Sequence, residues 1–149
     1  MEFENQEWKL PEAPVSGGSY AVVKRFGGHF LYVSGCGPII EDQVWNGRLQ
    51  ETYTTEEGAE AAKNCICNML AAVKAEIGDL NKIKTFAKLL VFVAGPAEYS
   101  KQSVVANGAT DFLIKMFGDE CGRPARSAVG VNSLPNNIPV EVEALIELK

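Results

Sequence analysis

The sequence predicts an α+β domain in which two helices cover one face of a mixed sheet. Three observations carry this. A Gly27-Gly28 pair separates two strand-like segments, two stretches of helical periodicity each run into a glycine, and the C-terminal segment 140–148 alternates between aliphatic and acidic residues. The resulting order is strand, strand, helix, strand, helix, strand, strand, without internal repeat, and it belongs to layered architectures with a sheet on one side and helices on the other.

The first two strands are Tyr20–Phe26 and His29–Ser34, flanking glycines that supply the positive φ angles of a two-residue hairpin turn. Residues 35–53 are rich in Gly, Pro, Asn and charge and read as a loop with a short strand at Gln43-Val44-Trp45. Thr54 and Glu57 form a capping box, after which Ala62, Ile66, Met69, Leu70, Val73 and Ile77 recur at helical spacing up to Gly78. Lys84–Val93 is apolar on both faces, as in a strand covered from two sides, and Gly95-Pro96 stops it. Val105, Ala109, Phe112, Leu113, Met116 and Phe117 mark a second helix ending at Gly118. Ser127–Val131 and Val140–Leu148 are the last strands. With both helices on one side, the other face of the sheet is bare and calls for water or a second subunit, so an oligomer is expected.

At 149 residues, 46% hydrophobic, the chain is expected to be one domain over 1–149, with 1–14 as an N-terminal extension. Its net charge of -5 offers no electrostatic footprint for a phosphate backbone, which disfavours nucleic acid. The opening MEFENQEWKLPEAP holds four acids and one Lys and resembles neither a secretory signal nor a transit peptide. The longest apolar stretch, Leu89 to Gly95, falls far short of the ~20 residues that cross a bilayer. Cys36, Cys65, Cys67 and Cys121 then read as free thiols in a reducing compartment, and a cytoplasmic location is expected.

Val140, Val142, Ala144, Ile146 and Leu148 share one strand face, and Glu141, Glu143 and Glu147 the other. If the preceding strand pairs with this one, Val129 opposite Val142 and Val131 opposite Val140 is the preferred register. The one-residue slip sets valines against glutamates and loses several tenths to about 1 kcal/mol per pair. In that register Arg126 faces Glu141 and Glu143 with Ala128 and Gly130 as small neighbours. A planar guanidinium binds a carboxylate through two parallel charge-assisted bonds, so a small acid would fit. The plainer reading is that Arg126 neutralises an acidic strand face.

Gly122-Arg-Pro-Ala-Arg-Ser-Ala-Val-Gly-Val131, then Leu134-Pro135, then Pro139-Val-Glu-Val-Glu-Ala144 resembles the C-terminal signature of the YjgF/RidA proteins. Ser34-Gly35, Tyr20 and the two helices extend the resemblance over most of residues 15–149. It implies a chorismate-mutase-like fold, a homotrimer with ligand clefts between subunits, and cofactor-free hydrolysis of reactive enamines and imines such as 2-aminoacrylate to 2-keto acids and ammonia. By the same resemblance Arg126 holds the substrate carboxylate and Glu141 positions or deprotonates water. Tyr20 of a neighbouring subunit lines the pocket, and the backbone at Ser34, Gly35, Cys36 and Ala128 adds polar contacts. Two departures stand out: Ala128 replaces the family's Cys, and Cys36 replaces a common Gln after Ser-Gly.

Other motifs yield less. Cys65 and Cys67 are separated by ~200° around a helix and do not converge on one metal ion. His29, the sole histidine, lies beside a turn with no nucleophile suggested nearby. Gly35, Gly37 and Pro38 lack the Gly-Lys-Ser/Thr that opens a phosphate-cradling helix. Three function classes follow: an enamine/imine deaminase, a non-catalytic trimer that binds 2-keto or amino acids, and an endoribonuclease or translation inhibitor. The last needs a cationic groove that an acidic chain does not advertise.

Overall fold

The computed structural model describes residues 9–149, so residues 1–8 of the expected extension lie outside it. Seven elements follow the anticipated order: β1 (Val23–Phe26), β2 (Phe30–Cys36), α1 (Thr55–Ile77), β3 (Ile83–Ala94), α2 (Gln102–Gly122), β4 (Ala125–Val131) and β5 (Val140–Leu148). The sheet runs β1-β2-β5-β3-β4, with β3 and β4 parallel and every other pair antiparallel.

Local chemistry sets most boundaries. Thr54 Oγ1 accepts from the Glu57 amide, and the Glu57 carboxylate accepts from the Thr54 amide at 2.8 Å, closing the capping box. Gly78, at φ 84°, donates its N–H to Lys74 O and ends α1. Regular helix in α2 breaks at Gly118, whose φ of 78° and ψ of 169° are not helical, and one further turn reaches Gly122. The hairpin differs from expectation by one residue: Phe26 pairs with Phe30 around a three-residue turn, Gly27-Gly28-His29. Both glycines do take positive φ, 56° and 82°. The Phe26 and Phe30 rings stack at 5.6 Å, which favours their direct pairing over a tighter turn. Gln43-Val44-Trp45 forms no strand. Side chains hold that loop instead: Trp45 packs on Tyr53 at 5.1 Å, and Tyr53 Oη accepts from the Asn46 amide at 2.8 Å.

Both helices lie on one side of the sheet. Ile66, Met69, Leu70 and Val73 of α1 and Val105, Ala109, Leu113 and Met116 of α2 share a core with Leu31, Val33, Leu89, Val91, Val140, Val142, Ala144 and Ile146. Leu10, within the expected extension, is also packed against that core. The helices touch backbone to side-chain position at Gly108, where a Cβ would stand 1.9 Å from Ala59 O. The opposite sheet face is open, and Tyr32 and Val129 are 46% and 39% exposed there. Among the described residues no helix is long and apolar enough to cross a membrane.

One expectation is overturned. β4 does not pair with β5, because β3 lies between them. The Val129/Val142 register weighed two alignments of a pairing that does not occur. A strand, a long helix and a strand favour a parallel crossover, so β4 docks beside β3, and β5 completes the ladder on the far edge of β3. Leu89 stands opposite Arg126 and Val91 opposite Ala128, whereas Phe92 stands opposite Glu141 and Leu90 opposite Glu143. Arg126, Ala128 and Gly130 therefore share the helix side, and Glu141 and Glu143 the open side.

Gly108→Ala tests the helix contact. It should lower unfolding stability by about 1–3 kcal/mol, since the helices must part to admit a methyl group, and chemical denaturation followed by circular dichroism would measure it.

Candidate functional site

β2 carries one residue more than its partner between two matched positions: Val33 lies opposite Ala144, but Cys36 lies opposite Val142. This β-bulge at Ser34-Gly35 has two effects on side-chain direction. It turns Cys36 toward the helices beside Val142, where simple alternation from Val33 would have sent it to the open side. It also brings Gly35 onto Glu141. A Cβ at Gly35 would lie 2.1 Å from Glu141 Oε1, so any other residue there would displace the carboxylate from this position.

Ser34 fixes the approach of the preceding segment. Its hydroxyl donates to Ala21 O at 2.7 Å and its amide to Val22 O at 2.9 Å. Tyr20 is thereby held near Gly35, and its hydroxyl in turn accepts from the Gly17 amide. Residues from these segments and from 135–141 enclose a cleft of about 540 Å³ whose walls include Tyr20, Gly35, Cys36 and Glu141. Asn68, a buried amide on α1, donates to Gly37 O at 2.9 Å and Ile39 O at 2.8 Å and so fixes the loop that forms one wall.

Burial pushes the Glu141 carboxyl above the usual glutamate range, and Glu143 beside it pushes it further. Glu143 itself accepts from Tyr32 Oη at 2.9 Å. Cys36 is pushed up to about 12 by burial and by Glu141, which makes it a protonated thiol of low reactivity at neutral pH. Cys65 is also raised by burial, and its thiol donates to Val140 O. Cys67 lines a different groove, beneath residues 9–14.

Four of the predicted site residues thus meet around one cleft of a single protomer: Tyr20, Gly35, Cys36 and Glu141. Tyr20 needs no neighbour to reach it. Ser34 is adjacent but spends its polar groups on the backbone of 21–22. Arg126 and Ala128 are elsewhere. Arg126 Nη1 donates to Asn107 Oδ1 at 2.8 Å and Thr110 Oγ1 at 3.1 Å, and Nη2 to Ser103 O at 3.3 Å, all on α2. These partners are neutral, and no carboxylate among the described residues forms an ion pair with it. Ala128 packs its methyl toward the core. Along β3 the points opposite Arg126 and Glu141 are three residues apart, about 10 Å, and the two side chains leave by opposite faces.

A family model described as Endoribonuclease L-PSP matches residues 11–148. The chain belongs to this family, the YjgF/RidA proteins. Protein TCP17 of Trypanosoma cruzi is 41% identical over 141 residues, spanning 94% of this chain and 88% of that protein. The crystal structure of Atu1372 from Agrobacterium tumefaciens, of unknown function, is 36% identical with a TM-score of 0.88, covering 99% of this chain and 90% of that one. TdcF of E. coli, solved with bound serine, shares the fold at 20% identity and a TM-score of 0.65, covering 95% and 100% of the two chains.

Sequence reasoning missed Asn107, Thr110 and Asn68. The first two lie one helical turn apart on α2, and a polar pair facing a strand arginine was the available signal; a buried Asn amid the apolar stripe of α1 was another.

Because the Glu141 midpoint is raised on folding, the folded state holds that proton more tightly than the unfolded chain. Its contribution to stability therefore falls as pH rises from the ordinary glutamate range through the folded midpoint. Glu143→Gln removes the like charge and should move the Glu141 midpoint to lower pH without restoring the ordinary value, since burial remains. Carboxyl carbon NMR titration reads the shift.

Proposed function

We propose that this YjgF/RidA protein hydrolyses reactive enamines and imines of the 2-aminoacrylate type to 2-keto acids and ammonia, at clefts completed by a second copy of the chain in a homotrimer. The observation that carries this is the separation of charge: a raised glutamate at the floor of a cleft whose walls bear no cation, and a guanidinium with only neutral partners on the edge strand. One protomer does not unite them. A neighbour docked on the open sheet face, with its β4 edge at the cleft, supplies the arginine for the substrate carboxylate.

The chemistry asks little of the protein. An enamine first takes a proton at carbon to become the imine, whose carbon is already electrophilic. Glu141 orients a water and accepts its proton as the oxygen attacks, forming a carbinolamine. With the imine nitrogen protonated, that attack leaves a neutral carbinolamine. Glu141 returns its proton to the nitrogen, the C–N bond breaks, and the carbinolamine hydroxyl gives up its proton to the departing ammonia, so iminium and water balance keto acid and ammonium. A carboxyl group whose midpoint burial and Glu143 raise above the ordinary glutamate value suits a proton that must be taken and given back, and the fixed cleft supplies orientation. The free thiols fit a reducing compartment such as the cytoplasm.

A second reading, binding of keto or amino acids without turnover, is favoured by the absence of a reactive thiol: Ala128 offers only a methyl group and Cys36 stays protonated. RNA cleavage is disfavoured by Glu141, Glu143 and Glu147 on the open face.

Imines released by an amino-acid oxidase, with keto-acid formation followed against the buffer rate, separate the readings; no acceleration rejects the hydrolase. Arg126→Ala and Glu141→Gln should each be inactive. Co-expressed, they should recover about a quarter of wild-type activity, because random assembly pairs an intact Glu141 with a neighbour's intact Arg126 in one site of four. A co-expressed protein as inactive as either parent rejects the shared site.

A further inference from the structure

The walls of the Glu141 cleft carry information about the substrate's third arm. Val22, Ile39 and Ile138 line it, with Pro14, Val15 and Tyr20 toward its mouth. Among the described residues no Lys, Arg or His lines it, and Glu141 is the only carboxylate that does. Asn68 is committed to two backbone carbonyls, so it offers little to a polar ligand. Ile138 is buried and wedged against Gly37, where a Cβ would stand 2.8 Å from Ile138 Cδ1. Ile39 and Val15, by contrast, are 45% and 89% exposed in the single protomer, apolar groups at the entrance. The volume, about 540 Å³, lies within the range of roughly 300–1,000 Å³ typical of ligand pockets and exceeds what a three-carbon acid fills.

Resting on the hydrolase reading, the geometry points to imines of bulky aliphatic or aromatic amino acids as the substrates of this site, with Ile39 and Ile138 as the specificity-determining residues. The reacting carbon belongs at Glu141, and the substrate carboxylate must leave toward a cation that the cleft walls lack. The remaining substituent then lies along Val22, Ile39 and Ile138. Apolar walls reward each added methylene, whereas a second carboxylate on the substrate meets Glu141 and no compensating charge. Hydrolysis itself is the balanced step already given and needs only water.

The test compares imines generated from leucine, phenylalanine, alanine and glutamate by matched oxidases, together with binding of the four corresponding keto acids by calorimetry. kcat/KM for the leucine imine should exceed that for the alanine imine by about ten- to a hundredfold and that for glutamate by more, with keto-acid affinities in the same order. Ile39→Arg, at an exposed position, should reverse the leucine-over-glutamate order, and Val15→Arg should shift it the same way. Turnover with no dependence on the side chain overturns the specificity and leaves the hydrolase standing. No turnover, but keto-acid binding in the stated order, overturns the hydrolase and upholds the specificity. Neither turnover nor ordered binding overturns both.

Discussion

β5 is hydrogen-bonded along both edges, between β2 and β3, and it commits one whole face to the helices. Val140, Val142, Ala144 and Ile146 are fully or nearly fully buried, so the strand cannot rotate or slip by one residue without exposing that row and burying three glutamates. The direction of Glu141 is thus decided by its neighbours' hydrophobicity. Its chemistry follows from the same constraint: a carboxylate held half-buried against Gly35 and next to Glu143 has less water than it would choose. The energetic cost of that placement is borne by a core that has no other arrangement open to it.

How much of this was legible depended on the range of the interactions. Thr54-Glu57, Gly78 and the alternation of 140–148 are local, and each gave its element and its boundary correctly; Gly118 marks a break in α2, which takes one further turn to Gly122. The sheet order was not local. Val129 and Val131 looked suited to Val142 and Val140, and nothing in either segment reveals that β3 stands between them. Only the topology of a parallel crossover does. The same error put Arg126 beside Glu141. The bulge was equally silent: Gly35 and Cys36 read as the start of a loop, whereas β2 runs on to Cys36, and only its pairing with Val142 shows the extra residue. Of the residues the family resemblance named, Tyr20, Gly35, Cys36 and Glu141 line one cleft, whereas Ser34, Arg126 and Ala128 do not.

Charge is distributed in this molecule with an economy that a single chain does not explain. Arg126 is steadied by an amide, a hydroxyl and a carbonyl of α2, which orient a guanidinium while leaving its charge uncompensated. Glu141 is crowded by another acid and has no cation on its cleft walls. Each would gain from the other, and within one protomer the sheet keeps them apart. A bare sheet face with Tyr32 and Val129 exposed completes a surface that looks unfinished in isolation.

The extra residue in β2 also constrains how this sequence can change over time. Most loops absorb insertions and deletions, but between Val33 and Gly37 the residue count sets a parity: losing one would turn the following side chain outward and withdraw the glycine that makes room for the glutamate. Substitutions around this stretch leave the parity intact while its length stays fixed, so that chain length here, more than residue identity, records whether the pocket has been kept.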